Sequence, residues 1–104
     1  MTSCSTHVLD AAAGAPAAGL GATLTGPDVE LALATDDDGR IAWGVELAPG
    51  EYRIAFETGS WFAAGGRNAF YPRVDICFEV TGDQPHYHVA LLLSPYAYTT
   101  YRGS

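Results

Sequence analysis

The chain has 104 residues, of which 48% are hydrophobic and 16% charged, and its formal net charge is −7. All five basic residues are arginine, so the chain lacks the basic patch that nucleic-acid binding requires. An anionic membrane surface is disfavoured for the same reason. No apolar run approaches the ~20 residues of a membrane-spanning helix. We therefore expect one globular domain over residues 1–104 that binds neither nucleic acid nor membrane.

The two ends of the chain and its cysteines bear on the compartment. The first residues carry neither the basic nor the apolar region of a secretion signal. The final Arg-Gly-Ser is not a peroxisomal signal of the Ser-Lys-Leu type, so the cytoplasm is expected. Cys4 and Cys77 are too few for a disulfide framework or a cysteine zinc site. We expect two reduced and mostly buried thiols.

Segments rich in β-branched and aromatic residues alternate with turn signals along the chain. The predicted strands are 4–10, 19–25, 29–35, 41–45, 51–58 and 71–80, followed by a C-terminal pair that begins at His86. Residues 11–18 are expected to form a loop, because glycine and proline interrupt the alanine run. One helix is predicted over 59–68, with Ser60 as its N-cap and Gly65-Gly66 at its end. About eight strands and one brief helix indicate an all-β sandwich of two sheets.

The last nineteen residues, HYHVALLLSPYAYTTYRGS, predict two strands joined by a turn at Ser94-Pro95. In an extended chain, His86, His88 and every second residue to Ser94 share one face, and 87, 89, 91 and 93 share the other. Apolar residues on both faces indicate a strand that is covered on both sides. A terminus with this pattern is expected to be docked against the domain.

Histidine and arginine are the plausible chemical equipment of the chain. Hydrolysis of a cyclic amide or ureide needs a base that activates water, a donor for the oxyanion and an acid for the departing nitrogen. Neutral histidine can act as base and acid near pH 7. Arginine supplies charged donors suited to planar carbonyl oxygens. The residue types alone are therefore compatible with hydrolysis, but they do not select a substrate.

The C-terminal segment resembles the signature of the 5-hydroxyisourate hydrolases, transthyretin-like enzymes of urate breakdown, which reads close to HYHVPLLLSPYGYSTYRGS. The chain departs from it at Ala90, Ala97 and Thr99. It keeps the final Tyr-Arg-Gly-Ser that distinguishes the hydrolases from hormone-carrying transthyretins. Residues 5–10 (STHVLD) resemble the first motif of that family, and Asp38-Gly39-Arg40 the middle one. Ala15 stands where the family has a basic residue, which removes a positive charge near the mouth of the site.

The resemblance implies a transthyretin-like sandwich that assembles into a homotetramer with its sites at subunit interfaces. It implies hydrolysis of 5-hydroxyisourate to 2-oxo-4-hydroxy-4-carboxy-5-ureidoimidazoline, with no metal or other cofactor. The implied catalytic residues are His7, Arg40 and His88. The implied substrate-binding residues are His7, Arg40, Tyr101 and Ser104. The nearby Arg40 is expected to favour the neutral form of both imidazoles.

Other polar and aromatic residues receive structural interpretations. Arg53, Arg67 and Arg73 are expected in weak surface pairs. Trp43 and Trp61 are expected as core or interface residues. The Asp36–Asp38 run lacks the spacing of a calcium-binding EF-hand and predicts a solvated turn. The roles of His86 and Arg102 stay open; for His86 a structural role is the default.

Two other functions are compatible with the sequence. The first is a transthyretin-like binding protein that holds an apolar or aromatic ligand in the central channel of a tetramer. The second is a zinc hydrolase that draws its ligands from His7, His86 and His88. Turnover coupled to a ligand screen separates the first from the hydrolase, and chelation followed by added zinc tests the second.

Overall fold

A computed structural model describes residues 2–103, which form nine strands and one helix. In chain order the elements are β1 (Ser3–Asp10), β2 (Ala15–Pro16), β3 (Gly21–Gly26), β4 (Val29–Ala34), β5 (Arg40–Ala42), β6 (Gly50–Phe56), α1 (Thr58–Ala64), β7 (Val74–Val80), β8 (His86–Ser94) and β9 (Ala97–Gly103). They build two sheets, of five and four strands. The predicted all-β sandwich with one short helix is confirmed.

The five-stranded sheet has the order β2-β1-β8-β9, and β5 also pairs with β1. β1 and β8 run parallel, whereas the pairs β1–β5 and β8–β9 are antiparallel. The four-stranded sheet, β4-β3-β6-β7, is antiparallel throughout. The C-terminal strand β9 is thus hydrogen-bonded to β8 as far as Gly103, which agrees with the expected docked terminus.

The core lies between the two sheets and is filled by alternate residues of the strands. In β8, the residues at 87, 89, 91 and 93 are buried, and those at 86, 88, 92 and 94 are more exposed, as the alternation predicts. Ala90 is the exception, since it lies on the outward face but is buried. Trp43, Phe56 and Phe62 are the largest of the fully buried side chains. Trp61 packs partly against the core, and its Nε1 donates to the carbonyl of Ala18 at 2.7 Å.

Two polar residues of β1 also face inward and are hydrogen-bonded there, as buried polar groups usually are. The Thr6 hydroxyl donates to the carbonyl of Val89 at 3.0 Å. Asp10, 2% exposed, accepts from the backbone N–H groups of Ala12 and Ala13 and from Arg67 at 2.6 Å. The prediction of a surface role for Arg67 is wrong: it pairs with a buried carboxylate and lies 4.8 Å from the centre of the Phe62 ring.

Several element boundaries differ from the sequence prediction. The helix begins at Thr58 rather than near Ser60, whose hydroxyl lies inside the first turn and donates to the carbonyl of Glu57 at 3.2 Å. It ends at Ala64 with Gly65 as its C-cap, as predicted. The strand predicted over 71–80 starts at Val74, after a proline that has no N–H for a ladder. The strand predicted over 41–45 is Arg40–Ala42.

Two further expectations need correction. The loop predicted over 11–18 contains the two-residue strand β2, in which Ala15 and Pro16 pair with Asp10 and Leu9. Cys77 is exposed on β7, so of the two free thiols only Cys4 is buried as expected. Among residues 2–103, no helix is long and apolar enough to cross a membrane.

Candidate active site

The implied site residues meet on the outward face of the five-stranded sheet, the face turned away from the core. Strand register aligns four of these outward residues across β5, β1, β8 and β9 as Arg40, His7, Ala90 and Tyr101, here called the His7 row. The next outward row, here called the His88 row, consists of Ala42, Ser5, His88 and Gly103. Neighbouring strands lie about 4.8 Å apart and diagonal neighbours about 7–8 Å apart, so Arg40, His7 and His88 are close enough to contact one small ring.

His7 is held by the acidic turn between β4 and β5. Its Nε2 donates to the carbonyl of Asp38 at 3.0 Å, which leaves Nδ1 as the lone-pair nitrogen of the neutral ring. The Asp36 carboxylate fixes the turn by accepting from the N–H groups of Asp38 and Arg40, each at 2.9 Å. The run of aspartates is therefore a scaffold that presents Arg40 beside His7.

Gly39 allows this turn to lie against β1. Its φ is +75°, and a Cβ there would overlap the carbonyl oxygen of Val8. The N–H of Val8 in turn donates to the carbonyl of Gly39 at 2.7 Å. The Asp-Gly-Arg motif thus combines a conformational requirement at Gly39 with an exposed guanidinium at Arg40.

His88 is half-buried, and its surroundings fix the ring. Nδ1 lies 2.7 Å from the Ser5 hydroxyl. The ring covers Gly103, where a Cβ would overlap ring atoms of His88, so the glycine in the Arg-Gly-Ser end makes room for the imidazole. Within residues 2–103, Nε2 of His88 has no hydrogen-bond partner. It is the ring nitrogen available to a substrate or a water molecule.

Burial lowers the pKa of His88 below its ordinary value of 6.5, and the charges of Arg40, His7 and His86 lower it further. The direction agrees with the expectation that Arg40 favours a neutral imidazole, although burial is the larger cause. A neutral ring at pH 7 is the form that can accept a proton from water.

The C-terminal residues divide between the two faces of β9. Tyr101, 54% exposed, lies on the outward face opposite Ala90. Arg102 pairs with Val89 of the inward set, and it lines a cavity of about 290 Å³ together with Phe78 and Tyr87. Arg102 is thus turned away from the histidines. Ser104 lies outside the described residues, so its predicted role is untested.

His86 and His88 do not converge with His7 on a common point. The Ser5 hydroxyl lies between the first two rings, 2.8 Å from Nε2 of His86 and 2.7 Å from Nδ1 of His88. In the part of the chain that the structure describes, no group of three or more His, Cys, Asp or Glu side chains is arranged to hold a metal ion.

The sequence interpretation missed Ser5 as a site residue. Its signal was present, because Ser5 shares the outward face of β1 with His7 and follows from the same alternation. Its contact with two histidines, however, depends on the parallel register of β1 and β8, which pairs Ser5 with His88. That register cannot be read from either segment alone.

The arrangement offers two lone-pair imidazole nitrogens, one guanidinium and one phenol on an open surface. The nitrogens are Nδ1 of His7 and Nε2 of His88, and Arg40 is the strand neighbour of His7. Such a set can remove a proton from water and hold a planar anionic oxygen.

The chain is similar in sequence and in fold to proteins of one family. A family model described as the HIUase/Transthyretin family matches residues 4–103. A 5-hydroxyisourate hydrolase of Caulobacter vibrioides is 44% identical, and the match covers 100% of both chains. The structure of a 5-hydroxyisourate hydrolase of Klebsiella pneumoniae superposes with a TM-score of 0.90 at 37% identity, over 100% of this chain and 94% of that one. A transthyretin of Sparus aurata superposes with a TM-score of 0.88 at 28% identity, over 96% and 95% of the two chains.

Proposed function

This chain belongs to the HIUase/Transthyretin family, and we propose that it hydrolyses 5-hydroxyisourate in the breakdown of urate. The full-length match to a relative of that activity at 44% identity is the observation that carries the proposal. The two outward rows support it, because they bring together His7, Arg40 and His88 from strands that are distant in sequence. The proposed product is 2-oxo-4-hydroxy-4-carboxy-5-ureidoimidazoline.

The histidine pair activates the water. Nε2 of His88 accepts a proton as the water oxygen attacks a ring carbonyl, and Nδ1 of His7 helps to orient the water. The carbon–nitrogen bond of the resulting tetrahedral intermediate then breaks. The departing nitrogen takes the proton held at Nε2 of His88, and the ring opens to a ureido group and a carboxylic acid, which loses its proton to solvent. No proton is gained or lost by the enzyme over this cycle.

Arg40 and the C-terminus orient the substrate. The exposed Arg40 guanidinium lies next to His7 in the His7 row, where it can hold the developing oxyanion. The Tyr101 ring, at the other end of that row, offers a surface for the planar substrate. Ser104 is proposed to contact the substrate ring as well. The cycle is proposed to need neither metal nor other cofactor.

The site is proposed to close only on assembly into a homotetramer. The His7 and His88 rows lie on an open sheet face, and Tyr101 and Arg40 are exposed on it. A second copy laid on this face would exclude water and strengthen the electrostatic interactions in the site. Activity should therefore fall when the protein is diluted below its assembly concentration. The cytoplasm is the proposed compartment, and cell fractionation tests it.

The test is to generate 5-hydroxyisourate from urate with urate oxidase and follow the decay of its absorbance. Decay should accelerate in proportion to added protein and should be unchanged by a chelator. A rate equal to the protein-free control would contradict the hydrolase. Loss of rate with chelator, restored by zinc, would instead support the zinc hydrolase. Saturable binding of an aromatic ligand without turnover would support the binding protein.

A tag comparison tests the docked terminus. An extension after Ser104 should weaken turnover far more than one before Met1, because β9 runs beside His88 up to Gly103. Both tagged proteins should be assayed at equal tetramer concentration. Equal activities would contradict a role for the C-terminus in the site.

A further inference from the structure

Four side chains form a continuous hydrogen-bonded network that leads from His88 to the exposed end of β1 and β8. This set, here called the Ser–His network, consists of Ser3, His86, Ser5 and His88. The Ser5 hydroxyl bridges Nδ1 of His88 at 2.7 Å and Nε2 of His86 at 2.8 Å. The Ser3 hydroxyl lies 2.5 Å from Nδ1 of His86 and 3.4 Å from the carbonyl of Pro85. His88 is half-buried at one end, and His86 and Ser3 are exposed at the other.

The parallel ladder explains why these groups meet. Ser5 pairs with His88 and Ser3 with His86, so each serine faces the histidine beside it. Because side chains two residues apart share a face, the four groups lie in register along the outward face. His7 and Arg40, which the proposed function already uses, lie in the His7 row and do not belong to the Ser–His network.

The hydrogen bonds of the Ser–His network can point in either of two directions, since a hydroxyl has one proton to donate and a neutral imidazole has one N–H. In the first, Nδ1–H of His88 donates to Ser5, Ser5 donates to Nε2 of His86, and Nδ1–H of His86 donates to Ser3. Ser3 then donates to the carbonyl of Pro85, which can only accept. This orientation leaves Nε2 of His88 as a lone pair facing the site.

The second orientation reverses the three bonds between the side chains, and Ser3 no longer donates to the carbonyl of Pro85. Ser3 donates to Nδ1 of His86, Nε2–H of His86 donates to Ser5, and Ser5 donates to Nδ1 of His88. Nε2 of His88 then carries the proton. The same atom is thus a base in the first orientation and an acid in the second.

We propose that Ser5 and His86 form a proton relay that holds His88 in its base-ready tautomer and exchanges its proton with solvent. When Nε2 of His88 takes a proton, Nδ1 passes its own to Ser5. Ser5 passes one to Nε2 of His86, and Nδ1 of His86 passes one to Ser3. Ser3 releases one to bulk water. One proton enters and one leaves, so His88 ends neutral. The Ser–His network ends in its second orientation, and the reverse transfer restores the first.

The positive charges around His88 disfavour an imidazolium there, which is the physical reason for a relay. The groups that face His88 are Arg40 from β5, His7 from β1 and His86 from β8, while β9 places Gly103 opposite it and Tyr101 one pair away. An imidazolium next to Arg40 is unfavourable, and these charges add to burial in lowering the pKa of His88. The relay releases the extra proton to solvent, so that no positive charge stays beside the guanidinium. Ser5 and His86 are positioning residues, since they act through His88.

The proposal rests on the proposed hydrolase function, but its first test does not depend on turnover. Imidazole ¹⁵N NMR of the free wild-type protein should show His88 and His86 protonated at Nδ1. Ser5→Ala should abolish this preference at His88, and Ser5→Thr, which keeps the hydroxyl, should restore it. Protonation of His88 at Nε2 in the wild type, or no change in Ser5→Ala, would overturn the relay even if the protein hydrolyses 5-hydroxyisourate.

The second test is kinetic. Ser5→Ala should lower kcat by about tenfold or more with little change in KM, and Ser5→Thr should recover most of it. His86→Gln retains a hydrogen-bonding group near Ser5 but cannot pass a proton, and it should also lower kcat. Ser60→Ala, on the helix, is the matched control and should match the wild type. Unchanged kcat in both Ser5→Ala and His86→Gln, or a loss confined to KM, would overturn the proposal.

Discussion

The two faces of strands β1 and β8 differ in what their residues do, although they alternate along the same backbone. Inward, Val8 and Leu91 are fully buried, and Thr6 bonds to the carbonyl of Val89. Outward, His7 and His88 keep one ring nitrogen free of hydrogen bonds within residues 2–103. The inward face therefore holds the sandwich together. The outward face holds reactive groups that contribute little to it, so substitutions on the two faces should have separable effects.

The largest stability effect is expected from the inward face. Leu91→Ala should lower the free energy of unfolding by about 2–5 kcal/mol, because Leu91 is fully buried and its truncation leaves a cavity. The adjacent Leu92→Ala is the control on the outward face and should cost less, since Leu92 is already partly exposed. Urea unfolding at fixed protein concentration measures both. Equal losses would contradict the division between the faces.

The next largest effect is expected on kcat/KM, from a substitution on the outward face. Gly103→Ala places a methyl group where the His88 ring lies, so the ring must move. Displacement of a catalytic group by about 1 Å can cost around 10²-fold, and kcat/KM should fall by that order. Gly21→Ala, in β3, controls for a general effect of adding a methyl group, because a Cβ there has no atom within 4 Å. A Gly103→Ala protein with wild-type kcat/KM would show that the ring position does not matter.

Among residues 2–103, two arginine–aspartate pairs extend the comparison, because one carboxylate is buried and the other is more exposed. Hydrogen bonding from Arg67 lowers the pKa of Asp10 below its ordinary 3.8, against the opposing effect of burial. Asp10→Asn should cost about 1–3 kcal/mol at neutral pH. Asp75→Asn breaks the exposed pair with Arg73 and should cost no more than about 1 kcal/mol.

The pH dependence of this difference has a defined sign. Because the folded-state pKa of Asp10 is lowered, the carboxylate stabilises the fold above about pH 3.8, and this is lost as pH falls through the lower folded-state value. The wild type and Asp10→Asn should therefore converge in stability in acid, as chemical unfolding between pH 7 and pH 2 can show. A constant difference across that range would mean that the charge of Asp10 is not the cause.

The smallest expected effect is a shift of the acid limb of activity. Burial and neighbouring charges lower the pKa of His88, so the neutral base persists below the ordinary value of 6.5. The acid limb of kcat/KM should therefore lie below pH 6.5. Arg40→Gln removes the second cause and should move the limb upward only in part, since burial remains. A limb above pH 6.5 in the wild type would contradict His88 as the base.

The sequence predicts the strands and their faces well, because residue alternation is a local signal. The alternation in β8 and the outward Ser5 and His7 of β1 follow from period two alone. The helix start was misplaced because Glu57 precedes it without a side-chain cap. Ser60 looked like the cap but bonds within the first turn.

Contacts between residues that are distant in sequence could not be predicted from local patterns. Arg67 reaches Asp10 across 57 positions, and nothing local distinguishes Arg67 from Arg73. The Ser5 bridge likewise depends on which residue of β8 lies beside it, and a slip of one residue would turn His88 inward. The roles of His7, Arg40 and His88 came from the family resemblance and stay predictions.

One measurement tests the central claim most directly: the rate of 5-hydroxyisourate decay with His88→Asn and His7→Asn, set beside their thermal unfolding midpoints. Asparagine retains a polar side chain but cannot act as a base at neutral pH. We expect each variant to lose about 10²–10⁴-fold in rate while unfolding at nearly the temperature of the wild type. Wild-type turnover in either variant, or a loss of rate matched by a loss of folding, would contradict the assignment of hydrolysis to the outward face.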